Sequence, residues 1–598
     1  MKLRSLGGHS KKCSSTIDGE VGSTNIANLF ANIYKDLYNK DGQSVKIENL
    51  SATIEERISS EDLFELGRIN ESVIRQGLKR LKDGKTDANF NFQSNCLIEG
   101  PEMLIKHICN MFRMFVSHGQ VPDIILVCTI LPLVKDNLGD LTSSDNYRAI
   151  ATGSQLLKLL DIVILILEGD KLRCDGLQFG FQQKSSTTMC SWLASAIIDK
   201  YNQLGSSVYC CTMDMSKAFD MVEWSGLFQE LSDKKINPIY LRILLDIYIN
   251  QSCIVEWNGT ASHSFRVSNG VRQGSVSSPV LFSIYIDRLF SKLRNSGFGC
   301  KFYNVFYGCL GYADDILLLS ASRTGLQAMV DICSKFMSNK GLRFSTNKIL
   351  AKSKTKCILF SKRKMPNVAP IKLNGDELPW VSEIKHLGNI LEKDNSMRKD
   401  VAVKRGKAIG KINSLFQEFH FAKPSTLIKI LNIYAVSFPG SGLWDLFSRD
   451  CDRIYRTWNV TIRQALNVPR DTHRYLIEPL SQSLHPKVML ASRYCQFVNS
   501  LLQSPKLQVR VMGRMCISDH RTVMCNNLLK ISKECGFTDW CEGRLTARSV
   551  KIKMRYSQTP KEQEWRECIL KELLSEESEV PGFSQQELDD MAMYICSS

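Results

Sequence analysis

The sequence is poor in the features that would mark a secreted, metal-stapled or membrane-embedded chain. Its 21 cysteines are scattered, with no C-x-x-C pair and no Cys/His knuckle. That spacing speaks against a disulfide framework and against a structural zinc site, and the cysteines read as thiols of a reducing compartment. The opening segment MKLRSLGGHSKKCSS has no apolar core of the kind a secretory signal needs. The longest apolar run, 162–167 after Leu159 and Leu160, is interrupted by Asp161 and stopped by Glu168. A membrane-spanning helix needs roughly 20 apolar residues, so none is expected and no membrane partner is inferred. No solenoid-period repeat is visible. These absences together lead to the expectation of a soluble, intracellular protein, with nucleus and cytoplasm left open.

What is present is a long chain of ordinary globular composition with an excess of positive charge. The 598 residues are 43% hydrophobic and 23% charged, with a formal net charge of +16 and a pI near 9.0. A surplus of Lys and Arg suits a protein that holds a polyanion, although charge alone does not separate nucleic-acid binders from other basic proteins. Apolar residues recur at helical spacing over 25–38, behind the candidate cap Thr24, and over 60–82, behind the candidate cap Ser60. The polar stretch 39–56 between them reads as a loop. The segment 125–134 reads as a strand that delivers Lys135 to a turn, and Gln155–Leu167 as a buried helix. Val208–Met213 has strand character and stops on Asp214, after which 216–231 has helical spacing. A further strand over 305–310 leads to Asp314 and Asp315, and 316–320 resumes the apolar pattern. This predicts a hairpin with two carboxylates at its tip. Residues 395–481 alternate basic and apolar residues in helical fashion, and 572–590 is acidic, as in a solvated tail.

An Asp that ends one strand and an Asp pair at a hairpin tip about 100 residues later converge only if their strands are neighbours in one sheet. Convergent carboxylates form a hard-oxygen site suited to Mg²⁺. The chemistry that uses such a site is phosphoryl transfer, in which two metal ions serve the attacking and leaving oxygens. An isolated Asp-Asp pair is far more often a turn, so the surrounding wording decides. MDMSKAFDMV (213–222), NGVRQGSVSSPVLFSIYID (269–287) and GYADDILLLS (311–320) resemble, in order and separation, motifs A, B and C of the reverse transcriptases of non-LTR (LINE-like) retrotransposons. The resemblance continues in LPLVKDNLGDLTSSDNYRAI (131–150), LQFGFQQKSST (177–187), GLRFSTNKILAKSKTKCILF (341–360), IKHLGNIL (384–391), SGLWDL (441–446) and LNVPRDTH (466–473), so that it touches some four-fifths of the chain.

The resemblance implies an RNA-directed DNA polymerase, a nucleotidyltransferase that extends a primer 3′-OH with dNTPs on an RNA template. It implies two Mg²⁺ ions, with Mn²⁺ as a substitute, held by Asp214, Asp314, Asp315 and the carbonyl of Met215. Phe219 falls where the family places an aromatic gate against the 2′-OH. Lys135 and Arg148 align with residues that grip the triphosphate, and Gln273 and Gly274 with residues that lie against the nucleotide and template base. A lysine of motif D, Lys354 in preference to Lys348, would protonate pyrophosphate. His386, Leu387 and Gly388 would form the primer grip, with His386 in a structural role. Asp220 is expected to cap or brace the following helix.

The fold implied is α+β, a right hand of fingers, a palm built on antiparallel sheet and a helical thumb. Its expected divisions are an N-terminal linker or helical extension over 1–75 and the reverse transcriptase domain over 114–391, with finger helices beginning near 76. A helical thumb over 392–482 and a C-terminal helical region with an acidic tail over 483–598 complete it. Relatives carry G-K-A-x-G-x-D-G in the leading segment where this chain has Gly84-Lys85-Thr86-Asp87-Ala88-Asn89, so contacts with nucleic acid there are left open. No apurinic-like endonuclease, ribonuclease H domain or terminal knuckle is recognisable, which leads to the expectation of an endonuclease supplied in trans and target DNA as primer. The alternatives are a catalytically silent RNA-binding relic, which the three intact aspartates argue against, and a maturase- or telomerase-like lineage, which the SKAFD, RQG and HLG wording disfavours.

Overall fold

The computed structural model describes residues 14–39, 43–87, 92–272, 274–345, 354–362 and 368–535. Gln273, Lys348 and the acidic 572–590 segment lie outside the described residues. The architecture is mixed α and β, built on two five-stranded sheets.

The first sheet contains β1 (Val127–Val134), β2 (Tyr147–Thr152) and β4 (Ser252–Trp257), and the second is centred on β3 (Val208–Met213). In the first, β1 pairs antiparallel with β2 and parallel with β4, with Leu133 opposite Arg148. In the second, β5 (Cys309–Tyr312) and β6 (Asp315–Ser320) form a hairpin, β6 lies antiparallel to β3, and β3 lies antiparallel to β7 (Lys356–Phe360). The short β8 (Trp380–Val381) closes the order parallel to β7. Ile316 to Ser320 are all buried, because β6 lies between two other strands and helices pack on the sheet. That placement accounts for an unbroken apolar run where a half-exposed strand would alternate.

Helices Thr187–Gln203 and Arg323–Asn339 pack against this sheet. Each starts where a serine accepts a hydrogen bond from a first-turn amide, Ser186 from Met189 and Ser322 from Gly325. Gln155–Leu167 forms as expected, capped by Ser154. Among the described residues no helix is long and apolar enough to cross a membrane.

Several expected boundaries are corrected. The stretch 39–56 is not a loop, for Gln43–Glu55 is a helix. The 60–82 helix is broken into Ser60–Phe64, a 3-10 turn at Glu65–Arg68 and Glu71–Arg80, the last capped by Asn70 accepting from Val73. Thr24 is not a cap but lies inside Ser23–Tyr38, whose N-cap is Gly22. The strand expected from 125 begins at Val127, after a helical turn at Asp123–Leu126. The 305–310 strand is two pieces, Val305–Phe306 in its own small hairpin and then β5. Beyond residue 395 the expected helices appear, beginning with Arg398–Glu418, and they continue to Glu534.

Candidate active site

The register of the central sheet decides where the acidic residues meet. Met213 is opposite Ile316, so Asp214, one residue past the end of β3, and Asp315, at the start of β6, leave the sheet at the same end. Tyr312 pairs with Asp315 across the hairpin, which leaves Ala313 and Asp314 as its two-residue turn. Ala313 takes a left-handed φ of 55°, a conformation that costs a residue with a β-carbon about 1–2 kcal/mol. Fully buried Gln178 holds it there: its Oε1 accepts from the Ala313 amide at 2.9 Å, and its Nε2 reaches the Ala313 carbonyl at 3.5 Å.

Asp214 is fixed through its backbone. Its amide donates to the Thr355 hydroxyl at 3.3 Å, and its carbonyl accepts from the Ser345 amide at 2.8 Å. Ser216 donates to Arg343, so that Met215 bridges to Phe344 while its own carbonyl stays outside the bridge's two bonds.

The three carboxylates disfavour one another's charge. Burial first, then Asp214, raises the Asp314 carboxyl, with Arg148 and Lys354 opposing. Asp315 is exposed on its outer side, yet the surrounding protein, then Asp314 and Asp214, push it up to about 6. Burial raises Asp214, and Lys354, whose ammonium stands 3.7 Å from its carboxylate, opposes the rise. A cation placed among them would relieve this repulsion. Among the described residues, no three His, Cys, Asp or Glu side chains are drawn together closely enough to hold a metal ion as they stand. The fit to a divalent ion therefore lies in the donor chemistry, hard oxygen under mutual repulsion, and not in a preformed cage.

Cations gather on the same side. Lys135 follows β1, its amide donates to Asn146 and its ammonium donates to the Asp145 carbonyl at 2.6 Å. Burial, and then the Lys217, Arg148 and Lys354 charges, hold its ammonium below the ordinary value, with Asp145 opposing. The structure thus brings Lys135, Arg148 and Lys354 of the sequence reading into one electrostatic neighbourhood. It adds Lys217, which that reading missed although it stands inside the SKAFD wording. Its signal is a left-handed φ of 49°, visible only in three dimensions.

Phe219 is not on a helix, because the helix expected over 216–231 begins only at Trp224. It lies in a turn whose backbone is held from elsewhere, Val271 donating to the Phe219 carbonyl at 2.7 Å. Its half-buried ring stacks on Phe282, centroids 4.7 Å apart. Asp220 does not cap the following helix. It is buried and accepts from the Tyr38 hydroxyl at 2.9 Å, bracing the first long helix. Gly274 has a φ of 124°, and a β-carbon there would meet the Ala151 carbonyl of β2 at 2.0 Å. Its close backbone approach is thus to the neighbouring sheet. Arg272 beside it forms a buried ion pair with Asp161 at 3.1 Å, tying this loop to the 155–167 helix.

His386, Leu387 and Gly388 lie together at a hairpin between Glu383–His386 and Asn389–Glu392. Leu387 and Gly388 take positive φ of 47° and 83°, as a two-residue turn with both central residues left-handed requires. His386 is buried with its Nδ1 3.0 Å from the Ser191 hydroxyl, and burial lowers its pKa to about 4. It is neutral near pH 7, in keeping with a structural role.

Residues 135–391 match the family model described as reverse transcriptase (RNA-dependent DNA polymerase). The chain is 26% identical over 217 residues to a retrovirus-related Pol polyprotein from the type-2 retrotransposable element R2DM of Drosophila melanogaster, covering 36% of this chain and 20% of that protein. It is 27% identical over 268 residues to the R2 polyprotein of Nasonia vitripennis, covering 44% and 25%. It is 23% identical over 342 residues to the RNA-directed DNA polymerase from mobile element jockey of Drosophila funebris, covering 55% and 36%. The chain thus spans between a fifth and about a third of the length of these relatives. The sheet that carries Asp214 and the Asp314–Asp315 turn to one end lies within the stretch, 135–391, that matches the reverse transcriptase family model, and the chain is similar to proteins of the R2 retrotransposable elements and of the mobile element jockey.

Proposed function

We propose that this chain extends a primer 3′-OH with dNTPs on an RNA template. The observation that carries the reading is the joint placement of three mutually repelling carboxylates at one sheet end with Arg148 and Lys354 acting on them, and with Lys135 and Lys217 beside those two cations. In this reading Asp214, Asp314 and Asp315, with the carbonyl of Met215, hold two Mg²⁺ ions, and Mn²⁺ substitutes. Bound there, such ions supply positive charge to the attacking and leaving oxygens. The four cations bind the triphosphate and offset charge on the departing pyrophosphate, and Lys354, the one nearest a carboxylate, donates the proton. Phe219 blocks a 2′-OH, Gln273 and Gly274 face the nucleotide and template base, and the His386–Gly388 hairpin seats the primer end. The fingers, palm and thumb are assigned to the 114–391 and 392–482 segments, between the 1–75 extension and the 483–598 region. DNA at the target site is the primer in a mobile element of this type, with an endonuclease acting in trans.

The test is primer extension by purified protein on poly(rA) with oligo(dT), dTTP and Mg²⁺. Wild type extends the primer and Asp314→Asn reduces the rate by about three powers of ten or more. Equal, negligible extension by both proteins would instead support a catalytically silent RNA-binding relic.

A further inference from the structure

The turn that carries Asp314 is supported by a short segment that is itself held from the C-terminal helices. Leu177 to Gly180 runs beside β5, with Phe179 donating to Gly311 at 2.7 Å and Gly311 donating to Leu177 at 2.9 Å. Gln178 binds both backbone groups of Ala313, and Gly180 approaches so closely that a β-carbon on it would stand 2.3 Å from the Ala313 nitrogen. Lys506, at the start of the Leu507–Ile517 helix, reaches this segment from the other side. Its ammonium donates to the Gln178 carbonyl at 2.7 Å and to the Gly176 carbonyl at 3.1 Å, and lies 4.8 Å over the Phe179 ring.

Lys506 is only 7% exposed. Burying an ammonium is costly unless acceptors replace its water, and here two carbonyls and a ring face do so. One carbonyl belongs to Gln178 itself and the other to Gly176, which leads directly into the segment that positions Ala313. A lysine serving only to dock the C-terminal helices would have no need of that address. Docking is already provided elsewhere by the Lys200–Asp519 ion pair at 2.6 Å.

We propose that Lys506 is a positioning residue for the Ala313–Asp314 turn, so that the polymerase centre is completed by a residue outside the 135–391 family match. Lys506 holds the 176–178 backbone, this backbone aims Gln178, and Gln178 keeps Ala313 left-handed with Asp314 at the sheet end. The catalytic consequence rests on the polymerase reading, whereas the structural coupling does not.

The experiment uses the full chain in two arms. In the first, hydrogen exchange of the Ala313 amide is measured in wild type, Lys506→Met, Gln178→Met, the double variant and Lys200→Met. Exchange should quicken by about tenfold or more in Lys506→Met and in Gln178→Met, the double variant adding little, because both act on one element. Lys200→Met should leave it within about twofold of wild type. In the second arm, primer extension by Lys506→Met should lose kcat by about tenfold or more with KM for dTTP within about twofold. Should Lys506→Met fail to fold, Lys506→Gln, which replaces the ammonium by a shorter, uncharged amide, is measured in the same way. Ala313 exchange unchanged in the Lys506 variant, or quickened as much by Lys200→Met, overturns the proposal. A wild type that extends no primer overturns the polymerase reading alone, and the exchange arm still decides the coupling.

Discussion

Replacing Arg272 with leucine should expose how the loop between the two sheets is held. The Arg272 and Asp161 side chains are 9% and 1% exposed, and one guanidinium nitrogen lies 3.2 and 3.1 Å from the two carboxylate oxygens. The guanidinium also lies 5.8 Å from the centroid of the Tyr248 ring. Removing one member of a buried pair leaves the other charged and unpartnered, which costs about 3–5 kcal/mol. Here the Ser275 hydroxyl still donates to Asp161 after the substitution, so the lower end, about 3 kcal/mol, is expected. The urea slope of a chain this long exceeds the roughly 1–3 kcal/mol per molar of small proteins, so the unfolding midpoint falls by less than about 1 M. Replacing both partners, Arg272→Leu with Asp161→Leu, removes the stranded charge and should recover most of the loss, since apolar replacement of a buried pair is about neutral. Tryptophan fluorescence in urea reads all four proteins of the cycle. A single variant that loses less than about 1 kcal/mol, or a double variant that recovers nothing, would refute the reasoning.

Three further outcomes follow from the same geometry. The folded-state carboxyl of Asp315, near 6, lies above its ordinary value of 3.8, so the penalty is present above that pH and fades as protonation proceeds toward pH 4. Asp315→Asn should accordingly melt a few degrees higher than wild type at pH 8 in chelator, lose that advantage at pH 4, and fail in primer extension; equal melting at pH 8 would count against the repulsion. Phe219→Val should raise ribonucleotide incorporation relative to dNTPs by about tenfold or more and, by losing the stack on Phe282 at 4.7 Å, destabilise by about 1 kcal/mol; unchanged exclusion removes Phe219 from the gate. Gly274→Ala places a β-carbon 2.0 Å from a backbone oxygen at a φ of 124°, which should cost more than about 2 kcal/mol in the same urea assay, and wild-type stability would show that the loop relaxes freely.

The features that could be read from the sequence are those whose causes are local. Val208–Met213 and 316–320 declare themselves because strands within a covered sheet are apolar throughout, and Asp214 marks where that run stops. The hairpin register then follows from a two-residue turn, and with it the meeting of Asp214 and Asp315. The errors have non-local causes. Residues 216–223 carry helical spacing but are bound by Arg343, Val271 and Gly270. These partners lie far along the chain, and periodicity carries no trace of them, so the spacing from residue 216 reads as helical although the helix begins only at Trp224. The same distinction explains Gln178 and Lys506. A glutamine in LQFGFQQ and a lysine after Pro505 have no local pattern to set them apart from surface residues. Their burial is intelligible only once Gly176, Gln178 and Ala313 supply acceptors and donors. Carboxylates at strand ends are therefore legible because the strands announce them, whereas the polar groups that hold those carboxylates in place become visible only when the chain has closed around them.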